Sequence, residues 1–214
     1  MKTTFTIVPG ELTLPQLRRA RDGHFNFELI DTAWAEIRAG AESVEKIVAK
    51  GEPAYGINTG FGKLASTHIP VDQLEALQRN LVLSHSAGVG VPLADEVVKL
   101  IMVLKVASLA RGRSGVRPLI IEALLRLLNA GVYPLIPSKG SVGASGDLAP
   151  LAHMSALLLG GGFSGTFTTY GVTVAVNGAA LPAGSVAVYS GQSMVVAFDP
   201  WSLVIAVIIY IVLS

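Results

Sequence analysis

The apolar positions of residues 31–50 recur at helical spacing, with Trp34, Ile37, Val44, Ile47 and Val48 on one face. Asp31 stands where a helix cap belongs. Residues 72–84 repeat the pattern, with Leu74, Leu77 and Leu81 on one side and Gln73, Glu75 and Arg79 elsewhere. Residues 96–111 are apolar nearly all round, which predicts a buried helix. Another helix is predicted over 118–129, with Pro118 near its start and Gly131 just past its end. A shorter one over 13–20 has Thr13 as cap and Pro15 in its first turn. Short β-like pieces, such as Thr4-Phe-Thr-Ile-Val8, surround the turn signal Pro9-Gly10. Tyr133-Pro-Leu-Ile-Pro137 is extended, because two prolines bar a helix there. A loop of small residues follows, then an apolar helix over about 148–159 that Gly160-Gly-Gly162 breaks.

Beyond that break the pattern changes. Residues 166–170, 172–176 and 186–189 read as strands, with turns at Asn177-Gly178 and Pro182-Ala-Gly184. Residues 201–213 are a continuous apolar run. A bilayer-spanning helix needs about 20 such residues. Starting at Met194 reaches that length but encloses Asp199 and Pro200, and no positive charges flank the run. A buried strand or an aggregation-prone end fits better, since 203–213 is β-rich, uncharged and free of proline.

Charge sharpens this division. No Asp, Glu, Lys or Arg occurs from Leu148 to Phe198, whereas globular domains are about a quarter charged. The chain of 214 residues is long enough for one full core or two small ones. With 16 Lys plus Arg against 15 Asp plus Glu, it shows no nucleic-acid footprint. The absence of cysteine excludes disulfides and thiol chemistry. The start, Met1-Lys-Thr-Thr-Phe-Thr, lacks the apolar stretch of a secretory signal, so a cytoplasmic location is expected.

The most informative stretch is Gly140-Ser-Val-Gly-Ala-Ser-Gly-Asp-Leu-Ala-Pro150. Gly146 has no Cβ, so its nitrogen can approach the Ala144 carbonyl carbon in conformations other residues avoid. Ring closure with loss of water gives an imidazolinone. Loss of a second water from Ser145 leaves an exposed methylene carbon. The product is an electrophile made from protein alone, doing work usually left to a cofactor. The bland reading is an ordinary turn of small residues. A serine nucleophile elbow fails on spacing, because Asp147 stands where Gly-x-Ser-x-Gly needs its second glycine. Asp147 itself either caps the next helix or shapes the loop for closure.

Other residues carry open alternatives. Tyr55 begins a loop containing Gly56, Gly60 and Gly62, which lacks the Gly-Lys-Ser/Thr ending of a phosphate cradle. Asn58 either holds that loop or offers its amide to a carboxylate. His85 ends a helix, where imidazoles commonly interact with the dipole. His24, His68 and His153 show no metal-ligand spacing and receive no role. Arg111, Arg113 and Arg117 read as solvated helix ends, with pairing across a subunit interface as the alternative.

Three segments together resemble the histidine ammonia-lyase branch of the aromatic amino acid ammonia-lyase family: Tyr55-Gly-Ile-Asn-Thr-Gly-Phe-Gly62, Asn80-Leu-Val-Leu-Ser-His-Ser-Ala-Gly88, and residues 140–150. The resemblance runs from the N-terminus to about residue 160. It implies a mainly α fold, the N-terminal portion of a helical ammonia-lyase, followed by an atypical β-like or apolar tail. It implies a homotetramer that eliminates ammonia from L-histidine to give trans-urocanate. The cofactor is then 4-methylidene-imidazol-5-one formed from Ala144, Ser145 and Gly146, with no metal. Tyr55 becomes the base in β-proton removal or a group close to it. A phenol titrates near about 10 in water, so a tyrosine base needs surroundings that favour phenolate. Ser84-His85 matches the selectivity position of the histidine-specific branch, so His85 contacts the substrate imidazole, and Asn58 joins it as a substrate-binding residue.

Family members are more than twice this long, and their central helices build the tetramer core. The expected organisation is therefore an ammonia-lyase-like domain over 1–160 and an unrelated or frame-shifted tail over 161–214, with impaired activity. The alternatives are a non-catalytic fragment, membrane-associated through 194–213, and a lyase or aminomutase acting on tyrosine or phenylalanine.

Overall fold

The computed structural model describes residues 2–62 and 65–158 in full, and short strands at 168–169, 172–173, 185–190 and 192–197 by their backbone. The turns expected at 177–178 and 182–184, the break at 160–162 and the apolar run 201–213 lie outside the described residues.

The chain opens with a β-α-β unit. Strand β1 (Thr3–Ile7) pairs in parallel with β2 (Phe25–Leu29), so that Phe5 lies opposite Phe27 and Ile7 opposite Leu29. A parallel pair needs a crossover, which helix α1 (Leu14–Asp22) supplies. Its start is as the sequence indicates: Gln16 Oε1 accepts from both the Thr13 N–H and the Thr13 hydroxyl, each at 2.8 Å, and Pro15 lies in the first turn. Helix α2 (Ala33–Lys50) buries Ile37 and Val44 on the expected face. Asp31 does not cap it. The helix begins two residues later, and Asp31 contributes its carbonyl to a turn with Trp34 N–H at 3.3 Å.

Helices α3 (Val71–His85), α4 (Asp95–Leu109) and α5 (Pro118–Ala130) match the apolar runs that predict them. Gly131 ends α5 in a left-handed conformation. The expectation that α4 is wholly buried needs correcting: Val97 is 42 % and Leu104 46 % exposed. Its neighbours α1, α5 and β1 cover the remaining sides, where Met102, Val103 and Val106 are fully buried. Strand β3 (Val89–Pro92) pairs antiparallel with β4 (Pro137–Lys139), and α6 (Leu148–Leu158) packs on α3. Beyond it, β5 (Thr168–Thr169) pairs with β6 (Val172–Thr173), and β7 (Ser185–Ser190) with β8 (Gln192–Ala197), both antiparallel.

One core joins these parts. Phe5, Ile7, Phe27 and Leu29 from the strands meet Ile121, Leu124 and Leu128 of α5, the inner face of α4, and Leu151, Met154 and Leu158 of α6. The strands' link to α5 is polar. Asn129 Oδ1 accepts the Phe27 N–H at 2.6 Å, and its Nδ2 donates to the Phe27 carbonyl at 2.9 Å. The amide thus acts as one rung of a missing third strand. Lys99 is buried on α4 and donates to the Gly23 carbonyl at 3.0 Å, tying α4 to the end of α1. Among the described residues no helix is long and apolar enough to cross a membrane.

Replacing Asn129 by Leu leaves both Phe27 backbone groups without this partner. A loss of about 1–3 kcal/mol is expected, read as a lower urea midpoint at unchanged slope. An unchanged midpoint would show that water substitutes for the amide.

Candidate active site

The loop that carries Ala144, Ser145 and Gly146 is built between β4 and α6. Gly143–Ser145 form a single 3-10 turn, with the Gly146 N–H on the Gly143 carbonyl at 3.1 Å. Gly146 takes φ +81°, the left-handed region open to glycine. Ser145 N–H and Asp147 N–H both reach the Val142 carbonyl, at 2.9 and 3.2 Å. The loop is thereby wound tightly about Ala144, Ser145 and Gly146, and residues 141–145 are exposed. Among non-glycine residues described, Asp147 alone has positive φ, at +54°. Such a residue costs on the order of 1 kcal/mol and persists where its surroundings hold it. Its carboxylate accepts from Ser141 Oγ at 2.5 Å, closing the loop across its base. Asp147 directly precedes α6, with its carbonyl accepting Leu151 N–H at 3.2 Å, so the position fits both readings the sequence left open: a charge at the helix start and a tie across the loop through Ser141.

Tyr55 sits at the edge of its own loop, 51 % exposed, with its ring edge-on to Phe61 at 5.9 Å between centroids. Asn58 organises that loop from within. It is 1 % exposed; its Oδ1 accepts Ala54 N–H at 2.7 Å and its Nδ2 donates to the Glu52 carbonyl at 2.9 Å. Its backbone carbonyl accepts Ile69 N–H at 2.8 Å, and Thr59 bridges to His68, so the loop closes on itself.

His85 is the last residue of α3. Its Nδ1 lies 2.8 Å from the Leu81 carbonyl, which can only accept, so this nitrogen is the donor. Ser84 Oγ lies 3.2 Å from the same nitrogen.

The structure joins the His85 segment to the Ser145 loop. Val82 on α3 packs against Leu148 and Ala156 of α6. Val89 lies opposite Lys139, and the backbones of Gly88 and Gly140 nearly touch: a Cβ on Gly140 would stand 3.1 Å from Gly88 Cα. His153, to which the sequence reading gave no role, completes the joint by accepting Gly88 N–H on Nε2 at 3.0 Å. No pattern of spacing marks it; only the packing of α6 does. The Tyr55 loop, by contrast, makes no hydrogen bond to the Ser145 loop among the described residues. The described residues contain no group of three His, Asp or Glu placed to hold a metal ion.

Burial pushes the His153 imidazole below its ordinary value. The native chain therefore takes up this proton less readily than the unfolded one. That contribution to stability is fully present above the ordinary imidazole pKa of about 6.5 and declines as pH falls below it. Urea midpoints at about pH 7.5 and about pH 5.5 should differ more for the parent chain than for His153→Gln, which has no proton to gain. Equal differences would remove His153 from the acid response.

Residues 12–195 match the family described as aromatic amino acid lyase. A histidine ammonia-lyase of Burkholderia mallei is 64 % identical over 155 residues, covering 72 % of this chain and 31 % of that protein. The chain thus spans about a third of the length of the curated relatives it matches. The crystal structure of histidine ammonia-lyase from Trypanosoma cruzi superposes with a TM-score of 0.68 at 32 % identity, over 95 % of this chain and 37 % of that one. Tyrosine aminomutase from Streptomyces globisporus gives 0.69 at 27 %, over 94 % and 36 %. With a tightly wound Ala144-Ser145-Gly146 turn on a mainly helical frame, and a family match over most of its length, this chain belongs to the aromatic amino acid lyase family.

Proposed function

We propose that the chemistry of this chain is that of a histidine ammonia-lyase: elimination of ammonia from L-histidine to give trans-urocanate. The observation that carries the reading is the turn at 143–146, which folds the chain back at the residues whose condensation the reaction needs. The 64 % identity to a histidine ammonia-lyase favours histidine over the tyrosine of the aminomutase neighbour.

Ala144, Ser145 and Gly146 fit a methylidene-imidazolone. Gly146 has the backbone freedom ring closure needs, Ser145 supplies the hydroxyl to be lost, and the exposed turn leaves the product open to substrate. When formed, that group supplies an electrophilic carbon that no ordinary side chain offers. The chain's own residues do the rest. Tyr55 takes the β-proton on its phenolic oxygen. His85 Nε2 accepts a hydrogen bond from the substrate's imidazole N–H, since its Nδ1 proton is engaged by Leu81. Asn58, buried with its amide engaged on both sides, serves the substrate indirectly by holding the loop that presents Tyr55. The reading places this chemistry in 1–160, on the strength of the change in charge density beyond it, and the family match that continues to residue 195 speaks against an unrelated tail over all of 161–214. A cytoplasmic location is the proposed one, and the homotetramer belongs to the longer family members whose central helices build its core.

Intact mass tests the central step. The parent chain should be two waters lighter than its sequence, and Ser145→Ala should not lose the second. An unmodified parent mass would overturn the reading. Where histidine turnover is followed as urocanate absorbance, His85→Leu should lower kcat/KM by on the order of tenfold to a hundredfold, the value of one buried hydrogen bond. Tyrosine or phenylalanine turned over faster than histidine would reassign the substrate.

A further inference from the structure

Three segments meet at one backbone joint. The first is the exit from α3, where Gly88 follows His85 by three residues. The second is the entry to the reactive loop at Gly140, which adopts φ +135° and whose added Cβ would stand 3.1 Å from Gly88 Cα and 3.3 Å from Ala149 Cβ. The third is α6, which leaves the loop and carries His153. Its Nε2 lies 3.0 Å from the Gly88 nitrogen, and an added Cβ on Gly88 would meet the same ring at 3.0 and 3.2 Å. The β3–β4 pairing continues from this point outward, with Val89 opposite Lys139.

We propose that His153 is a positioning residue: its Nε2 holds the Gly88 amide, so that His85 and the Ala144-Ser145-Gly146 turn keep one fixed approach. The proposal rests on the reading of His85 and Ser145 given above. His153 acts through Gly88 and not on the substrate. Because the backbone N–H is the donor, the ring must present a bare Nε2 and carry its proton on Nδ1. A side-chain acceptor at the reach of Nε2 is therefore the requirement. Glutamine places its Oε1 near there. Asparagine reaches only as far as Nδ1, and leucine offers no acceptor.

The test uses the full chain as parent, His153→Gln, His153→Asn and His153→Leu. Two quantities are read: hydrogen exchange at the Gly88 amide, and the rate of two-water loss by intact mass after refolding. The parent and the glutamine variant should protect Gly88 and dehydrate alike. The asparagine and leucine variants should exchange Gly88 at least about tenfold faster. They should dehydrate at least about tenfold more slowly, because misplacement by an ångström is costly in such a closure. Should the leucine variant fail to fold, the contrast between glutamine and asparagine decides, since both are polar and similar in size. A space-filling role predicts that leucine matches the parent, and that result overturns the proposal. So does parental dehydration in variants whose Gly88 has lost protection, or an unprotected Gly88 in the parent. A parent that protects Gly88 yet retains both waters overturns the proposed function instead, and with it the purpose assigned to the joint.

Discussion

The site depends on how closely two backbones approach at Gly88 and Gly140. An added Cβ on Gly140 would come within 3.1 Å of Gly88 Cα, and one on Gly88 would crowd the His153 ring at 3.0 Å, so a side chain at either position disturbs the joint. With the two glycines in contact, β3 and β4 pair, α6 lies along α3, and His153 reaches the Gly88 amide. The condensation proposed for this loop is favoured by fixed ends, because ordering it at the moment of reaction would cost conformational entropy. Here both ends are held: one by the joint, the other by α6, whose Leu151, Met154 and Leu158 enter the main core.

That core is more than a filler beneath the loop. The parallel pair β1–β2 has few strands to share its backbone groups, and Asn129 compensates by presenting an amide where a third strand would lie. The clamp fixes α5 against the strands, and α5 in turn fixes α4. Lys99 adds a charged tie whose ammonium is held below its ordinary pKa, chiefly by burial, with Glu96 and Asp22 opposing the shift. Desolvation of the ammonium offsets much of what its bond to the Gly23 carbonyl returns, so the tie adds little net stability.

Around the tripeptide the local chemistry is strained and lightly charged. Asp147 holds a backbone conformation that costs energy for any residue bearing a Cβ, and the Ser141 hydroxyl on its carboxylate helps to keep it there. Asn58 plays the corresponding part beneath Tyr55, turning a glycine-rich loop into one closed by backbone bonds. In both places a short polar side chain ties its loop together beside an exposed neighbour, Ser145 or Tyr55, to which the proposed function gives a chemical role.

Much of this was legible in the sequence, for a physical reason. Helical periodicity, caps and breakers are local, so α1 to α6 could be placed from residues close together in the chain, Gln16 reaching back to Thr13 and Gly131 ending α5. The turn of small residues at Ala144-Ser145-Gly146 was legible too, because its three residues are adjacent in the chain. What depends on distant partners was not. Nothing near residue 3 announces its pairing with residue 25, nor that Asn129 would bond to Phe27 across 102 positions. The exposed side of α4, the inward turn of Asn58 and the reach of His153 to Gly88 are likewise outcomes of packing. Each depends on which surfaces meet, and only the folded chain decides that.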